Sequence, residues 1–249
     1  MNEVIKIILN HRSIRKYEDR PLTKEQIHTI VKAAQSASTS SYIQAYTIIG
    51  VKDPVKKKKL AELAGNQPYV EKNGHLLIFC ADLHRHDIIG EMEGKDLTVS
   101  LESTEKFMVA VIDAALAAQN AAIAAESMGL GICYIGGLRN NLAEVTKLLN
   151  TPKRVLPLFG MTIGYPLHES SKKPRLPLEH IYHEEEYVQD KNHMKEQLKE
   201  YNETVQAYYI KRTGGKRQDT WTGQMAQTLS QPRRMYMKEF VEKKGFDKK

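Results

Sequence analysis

Apolar residues recur at helical spacing early in the chain. Ile27, Ile30, Val31 and Ala34 follow Thr23 and Gln26, a pair at capping-box spacing, and predict an amphipathic helix from about Thr23 to Ala37. Two short apolar runs, Tyr46–Val51 and Leu76–Ala81, predict strands. Asp53-Pro54 between them opens another helix, because Pro is tolerated in a first helical turn. A long helix is predicted from about Glu102 to Met128, stopped by Gly129. Its centre, Asp113–Ala125, carries small side chains around much of its circumference, which predicts close packing on several sides. A strand at Ile132–Ile135, a helix near Leu142–Leu149 and a strand near Val155–Ile163 complete the pattern, which ends at Gly164-Tyr165-Pro166. Helices and strands interleave without strict alternation, so the expected fold is an α+β three-layer domain.

Composition agrees with a folded chain. Apolar residues are 41% and charged residues 27% of 249, which excludes a disordered, collagen-like or coiled-coil architecture. The character changes after Pro166. Residues 166–249 contain no run resembling a central strand, yet hold six of the twelve tyrosines and the only tryptophan. Such a segment is expected to lie on another surface rather than build a core, and a homodimer whose tails clasp the partner is one way to do so. Two cysteines, Cys80 and Cys133, cannot form a multi-bridge framework, and the chain reads as a reduced, cytoplasmic protein. No membrane segment is expected. The first apolar run is broken by Lys6, and Ala114–Ala125 is interrupted by Gln119 and Asn120.

Charge narrows the partners. Lys+Arg total 37 against 30 Asp+Glu, a net +7 with a pI near 9.2, which asks for an anionic partner: nucleic acid, membrane or a phosphate-bearing ligand. Residues 166–249 hold 17 cations against 13 anions, a net +4, and the rest +3, so no one region concentrates the excess. His11-Arg12-Ser13-Ile14-Arg15 has the forks of an anion clamp, although by composition alone a solvated basic turn is the commoner reading. Ser38–Ser41 offers hydroxyls to a phosphate or polyol, or is a plain loop. Gly129, Gly131, Gly136 and Gly137 flank Cys133–Ile135 and permit close backbone approach to a flat ligand, or turns with positive φ. Their spacing is not the dinucleotide fingerprint. Lys172–Arg175 and Arg212–Arg217 are further basic loops, whereas Lys56–Lys59 reads as a solvated face. No metalloprotease, Cys-x-x-Cys, nucleophile-elbow or Walker motif is present, Cys133 reads as inert, and no metal is expected from His84 and His86 alone. Hydrolytic chemistry has no support, so an enzyme here would rely on a cofactor.

Five motifs occur in order: His11–Arg15, Ser38–Gln44, Gly65–Tyr69, Tyr134–Asn140 and Lys173–Pro177, with Asp219-Thr220-Trp221 in the tail. The ordered set resembles the nitroreductase superfamily, in the branch holding the major oxygen-insensitive nitroreductase and the flavin reductase P type. The resemblance implies a sandwich with a central mixed sheet flanked by helices, an intertwined homodimer, and one FMN at each of two interface sites. It implies a flavin-binding domain over residues 1–165, and an extension over 166–249 that clasps the partner and carries an NADPH-recognition loop. His11, Arg12, Ser13, Ile14 and Arg15 would contact the FMN phosphate, ribityl chain or ring edge. Thr39 and Ser40 would hold the ribityl-phosphate side across the interface. Gln67 and Tyr69 would approach the ring, Tyr134, Ile135, Gly136 and Gly137 would line it, and Lys173 and Arg175 would complete the phosphate clamp. Arg212 and Arg217 would meet the 2′-phosphate of NADPH. The implied activity is that of an NAD(P)H-dependent flavin reductase or oxygen-insensitive nitroreductase. Hydride passes from NADPH, or NADH, to flavin N5, and then by a ping-pong route to nitroaromatics, quinones or free FMN. No catalytic side chain, nucleic acid or membrane is implied. A basic nucleic-acid-binding protein, and a flavin-sequestering protein without reductase activity, are the alternative functions.

Overall fold

The computed structural model describes residues 1–168 and 170–249. The chain divides into two compact units, one of residues 1–170 and 234–249, the other of residues 171–233.

Unit 1 is built on four strands: β1 (Tyr46–Val51), β2 (His75–Asp82), β3 (Gly131–Ile135) and β4 (Val155–Gly164). Around them run α1 (Glu3–Leu9), α2 (Lys24–Gln35), α3 (Pro54–Leu63), α4 (Pro68–Glu71), α5 (His84–Met92), α6 (Thr98–Leu101), α7 (Thr104–Ser127) and α8 (Leu142–Leu148). The strand order is β1-β2-β4-β3, and every pairing among the described residues is antiparallel. This corrects the expected mixed sheet. β2 and β3 do run parallel to one another, joined through α7, but β4 is inserted between them and pairs antiparallel to both.

Alternation along β2 explains the layers. Leu77 and Phe79 face one side, where Ile30 and Ala34 of α2 and the alanines of α7 pack. Leu76, Ile78 and Cys80 face the other, against Leu60, Val70 and Val145. The three-layer α+β sandwich expected from sequence is therefore the observed one. The α2 cap is the predicted capping box: Thr23 Oγ1 accepts from Gln26 N–H at 3.2 Å, and Gln26 Oε1 accepts from Thr23 N–H at 3.0 Å. By length and apolarity α7 could span a membrane, contrary to the reading of its centre as too interrupted. Ala110, Ala114, Ala117, Ala118, Ala121, Ala122 and Ala125 are instead buried against protein, the pattern of a core helix.

Two local expectations fail in unit 1. The lysine run Lys56–Lys59 is not one solvated face: Lys57 is buried, donates from Nζ to Asn73 O at 2.8 Å, and has its pKa pushed down by that burial. Residues 234–249, with α11 (Met237–Lys243), return to unit 1, where Val241 and Phe246 are buried beside Leu101 and Leu142. Arg154, only 2% exposed, secures them. Its Nε donates to Asp87 at 2.7 Å, its Nη1 to Gly245 O at 2.7 Å, and Glu102 lies between its Nη2 (3.7 Å) and Lys248 Nζ (3.0 Å).

Unit 2 consists of α9 (Lys191–Thr213) and α10 (Trp221–Leu229) with the flanking segments. It does form a small core. Tyr201, Val205 and Tyr209, one stripe at i, i+4 and i+8, are buried with Leu176, Tyr208 and Trp221 around them. Asn202 and Thr222 exchange bonds of 2.8 and 3.0 Å, tying α9 to the start of α10. Gly214 ends α9 at φ 59°, in the left-handed conformation that suits a residue without Cβ.

Candidate active site

The segment after α1 is pinned to the sheet. Ile14 N–H donates to Ile132 O at 2.8 Å, and the Ile14 side chain packs so closely on Gly131 that a Cβ there would stand 2.6 Å from it. Ile14 alone of the five residues 11–15 is buried; its neighbours remain at or near the surface. Tyr17 closes the turn, its hydroxyl donating to Ile14 O at 2.6 Å, 2.8 Å from Thr162 Oγ1, with its pKa raised by burial. His11 Nδ1 lies 2.7 Å from Glu126 Oε1 near the end of α7, which fixes the orientation of the ring. Arg12 donates from Nη1 to Asn10 O at 3.3 Å. Arg12, Glu126 and Ile14 line one cavity of about 220 Å³, with Ile7 and Gly131.

Arg15 joins this segment to a second one. Its guanidinium lies 5.8 Å from the Tyr69 ring centroid, and Tyr69 donates to Gln67 Oε1 at 2.5 Å. Burial works against the charged form of Arg15, but with the Tyr69 side chain as a hydrogen-bonding neighbour its pKa is held above the ordinary value. Burial also raises the Cys133 thiol, with Arg15 opposing, so Cys133 stays protonated and inert as expected. Gln67 Nε2 in turn donates to Ala64 O at 2.9 Å. A Cβ on Gly137 would meet that same Ala64 O at 2.4 Å and Gln67 Nε2 at 3.0 Å. Gly137 is therefore glycine because the turn after β3 presses on the turn before α4, not because φ is positive there. A Cβ on Gly136 would likewise stand 3.1 Å from the Arg139 guanidinium, and Arg139 donates to Leu158 O at 2.6 Å. Tyr134, at the exposed end of β3, meets Phe159 edge-on at 5.8 Å and has its hydroxyl 3.4 Å from Gln119; Ile135 beside it is buried.

Thr39 and Ser40 sit elsewhere on unit 1. They open a tight loop in which Ser41 (φ 48°), Tyr42 (φ 59°) and Gln44 (φ 55°) are all left-handed. The loop is held by Asp113 of α7, fully buried, whose two oxygens accept from Ser40 N–H and Ala45 N–H, each at 3.0 Å. His86 Nε2 and Arg85 add contacts to Ile43 O (2.9 Å) and Tyr46 O (2.5 Å). The thirteen residues from Asp113 to Glu126 extend α7 by roughly 20 Å at 1.5 Å per residue. Within one chain, then, the Thr39–Ser40 loop and the His11–Arg15 segment are anchored at widely separated points on the same helix.

Unit 2 carries the remaining predicted residues. Lys173 and Arg175 line a cavity of about 290 Å³ walled by Tyr201, Tyr208, Tyr209 and Trp221, and Lys173 Nζ is 5.9 Å from the Tyr209 ring centroid. Arg212 donates to Tyr208 Oη at 2.7 Å, and Arg217 pairs with Asp219 at 2.8 Å.

Sequence reasoning missed Asp113 and Glu126. Both had a readable signal: Asp113 is an isolated carboxylate in an alanine-rich helix, and Glu126 is the first charge after twelve neutral residues. The donor set of unit 1 fits a flat, phosphate-bearing ligand. It combines two guanidinium groups, an imidazole oriented by a carboxylate, a serine hydroxyl and a tyrosine ring, with backbone of the 134–137 segment nearby.

Comparisons with known proteins agree with the ordered motifs. The sequence pattern described as "Nitroreductase family" matches residues 8–165, and "Nitroreductase family, C-terminal domain" matches residues 173–249. The chain is 56% identical over 248 residues to the FMN reductase (NADPH) of Bacillus subtilis (strain 168), covering 100% of both. It is 45% identical over 244 residues to a CR(VI) reductase of Pseudomonas sp. (strain G-1), covering 98% of this chain and 99% of that one. Among solved structures, NfrA1 of B. megaterium superposes with a TM-score of 0.98 at 69% identity, covering 99% of this chain and 100% of the other. The NADPH:FMN oxidoreductase from Vibrio harveyi complexed with NAD+ superposes with a TM-score of 0.90 at 39% identity, covering 100% of both.

Proposed function

The chain belongs to the nitroreductase family, and from that membership we propose that it is an FMN-dependent NADPH oxidoreductase. Its acceptors are nitroaromatics, quinones or free flavin, with NADH as a second donor. The observation that carries the reading is the convergence in unit 1 of Arg15 on Tyr69, Tyr69 on Gln67, and Gln67 on the 136–137 turn. Full-length relatives whose names specify FMN and NADPH support it. FMN bound there would supply the redox chemistry, the passage of electrons from the nicotinamide to the acceptor.

The chain's own residues bind and orient. Arg12, Arg15 and Ser13 offer donors to phosphate and ribityl oxygens, and His11 presents Nε2 while Glu126 holds Nδ1. Tyr69, Gln67, Ile135 and the backbone of Gly136 and Gly137 flank the ring, and Tyr134 shields its exposed side. Ile14 takes part through its backbone, which fixes the clamp to β3. In unit 2, Lys173 and Arg175 bind phosphate oxygens, and Arg212 and Arg217 receive the 2′-phosphate of NADPH. No side chain is required as nucleophile or general base.

We also propose a cytoplasmic homodimer, with residues 1–165 binding flavin and residues 171–233 clasping the partner, while residues 234–249 pack on unit 1 of their own chain. The roughly 20 Å between the anchors of the Thr39–Ser40 loop and the His11–Arg15 segment favours a site that takes each from a different subunit. The exposed apolar residues of α1 and α7, Val4, Ile5, Met108, Ile112 and Leu116 among them, favour a covered face. Both cysteines are unpaired, as in a reduced compartment.

The test is direct. Purified protein is expected to carry flavin absorbance, to elute as a dimer, and to oxidise NADPH with a nitroaromatic, a quinone or free FMN. A colourless protein without turnover after FMN addition overturns the reading. FMN binding without NADPH oxidation would instead identify a flavin-sequestering protein.

A further inference from the structure

The last turn of α9 and the loop that follows it, residues 211–220, contain four cations, Lys211, Arg212, Lys216 and Arg217, but a single carboxylate, Asp219. That carboxylate is committed to one of them. Arg217 Nε lies 2.8 Å from Asp219 Oδ2. The guanidinium also stacks over the Tyr209 ring at 4.3 Å, and Arg217 N–H donates to Thr213 Oγ1 at 2.9 Å. The arginine is thus fixed in plane, in edge and in backbone. Arg212 is held differently, by the neutral hydroxyl of Tyr208 at 2.7 Å, with its Cζ 5.7 Å from that ring. Among the described residues, only one of these two arginines has its charge countered.

The countering group sits where a ligand oxygen would sit. A guanidinium receives phosphate or carboxylate oxygens along its N–H edges, in its own plane. Asp219 occupies one such edge, two residues along the chain from the arginine it neutralises. The loop's only acid therefore makes the contact that an incoming phosphate makes.

We propose that Asp219 is an internal substitute for phosphate on Arg217, and that it sets the preference of the enzyme between NADPH and NADH. The inference rests on the reading of Arg217 as a receptor for the 2′-phosphate. A dianionic phosphate approaching Arg217 must share it with a carboxylate of like charge or displace that carboxylate. NADH lacks this phosphate and does not meet the competition. The side chains of Arg217 and Asp219 are 50% and 37% exposed, so the effect is modest and weakens as salt screens it.

Asp219→Asn isolates the charge, because the amide oxygen still accepts from Arg217 Nε. In the FMN-loaded protein, KM is measured for NADPH and NADH, and the Kd of adenosine 2′-monophosphate is measured by calorimetry with adenosine 5′-monophosphate as control. At low salt, KM for NADPH and Kd for adenosine 2′-monophosphate are expected to fall about two- to five-fold. The values for NADH and adenosine 5′-monophosphate stay constant, and the difference closes at about 0.5 M salt. An unchanged or raised KM for NADPH, or an equal fall for NADH, overturns the proposal. Arg217→Ala in the same series separates the two levels. If it weakens NADPH selectively while Asp219→Asn does nothing, Arg217 keeps its role and Asp219 loses its own. If it weakens both nucleotides equally, the 2′-phosphate reading fails and the substitute role falls with it.

Discussion

Asp113→Asn tests how the Thr39–Gln44 loop is held. Three non-glycine residues in this loop, Ser41, Tyr42 and Gln44, are left-handed. At roughly 1–2 kcal/mol each, the loop stores about 3–6 kcal/mol of backbone strain. Against it stand two bonds from Ser40 and Ala45 N–H to the buried carboxylate, both 3.0 Å. Bonds to a charged acceptor contribute about 1.5–3 kcal/mol each, so the two terms are of the same size. Asparagine keeps one acceptor oxygen but sets its NH₂ against the other backbone N–H. One bond is lost and two donors face each other, a cost of about 2–3 kcal/mol. For a chain of this length that lowers Tm by roughly 5–10 °C. Hydrogen exchange should show Ser40 and Ala45 amides losing protection while the α2 and β2 amides keep theirs. If those two amides stay protected and Tm moves by less than about 1 °C, the carboxylate does not restrain the loop, and the strain argument is wrong.

Gly137→Ala should destabilise by about 1–3 kcal/mol and weaken FMN binding, because the new Cβ would stand 2.4 Å from Ala64 O. Chemical denaturation and FMN titration check this, and an unchanged pair of values means the turn gives way without consequence. Burial, with Lys52 and Lys57 nearby, lowers the His75 pKa from 6.5 to about 4. The unfolded chain therefore binds a proton that the folded chain refuses, and the stability His75 contributes is complete above pH 6.5 and is lost as pH falls toward about 4. His75→Gln should flatten that slope by up to about 3 kcal/mol over the window; an unchanged slope in urea unfolding across pH 4–7 refutes it. Arg154→Met leaves Asp87 and Glu102 without their buried cation and should cost about 3–5 kcal/mol, with proteolysis beginning in residues 234–249. Wild-type protease resistance would refute it.

Much of unit 1 was legible because its signals are local. Thr23 and Gln26 announce α2 within four residues, and Asp53-Pro54 announces α3, whose Asp53 accepts from Val55 N–H at 2.8 Å. β1 spans the predicted Tyr46–Val51. The α7 prediction began two residues early, because Ser103 caps that helix and α6 closes just before it. What escaped was non-local or diluted. Antiparallel pairing depends on β4 entering between β2 and β3, which no spacing records. The stripe Tyr201, Val205, Tyr209 is hidden among the charges of α9. Within the candidate site, the ordered motifs identified the binding segments, but the groups that hold them did not stand out. Glu126 meets His11 across 115 positions, and Asp113 meets Ser40 across 73. A packed core can bring such pairs together; a window of sequence cannot display them.

The return of residues 234–249 to unit 1 has a consequence for biosynthesis. Unit 2 is, in topology, an insertion within unit 1. As the ribosome delivers the chain, the sheet and α7 emerge first, but the pocket that Val241 and Phe246 fill stays open until α11 follows. Arg154 meanwhile has no Gly245 carbonyl to donate to, and Glu102 awaits Lys248. Nascent unit 1 thus exposes apolar surface through the translation of all of unit 2, at roughly 5–20 residues per second a wait of several seconds. That interval is when a chaperone would find its substrate, and when a stalled ribosome would leave an aggregation-prone product.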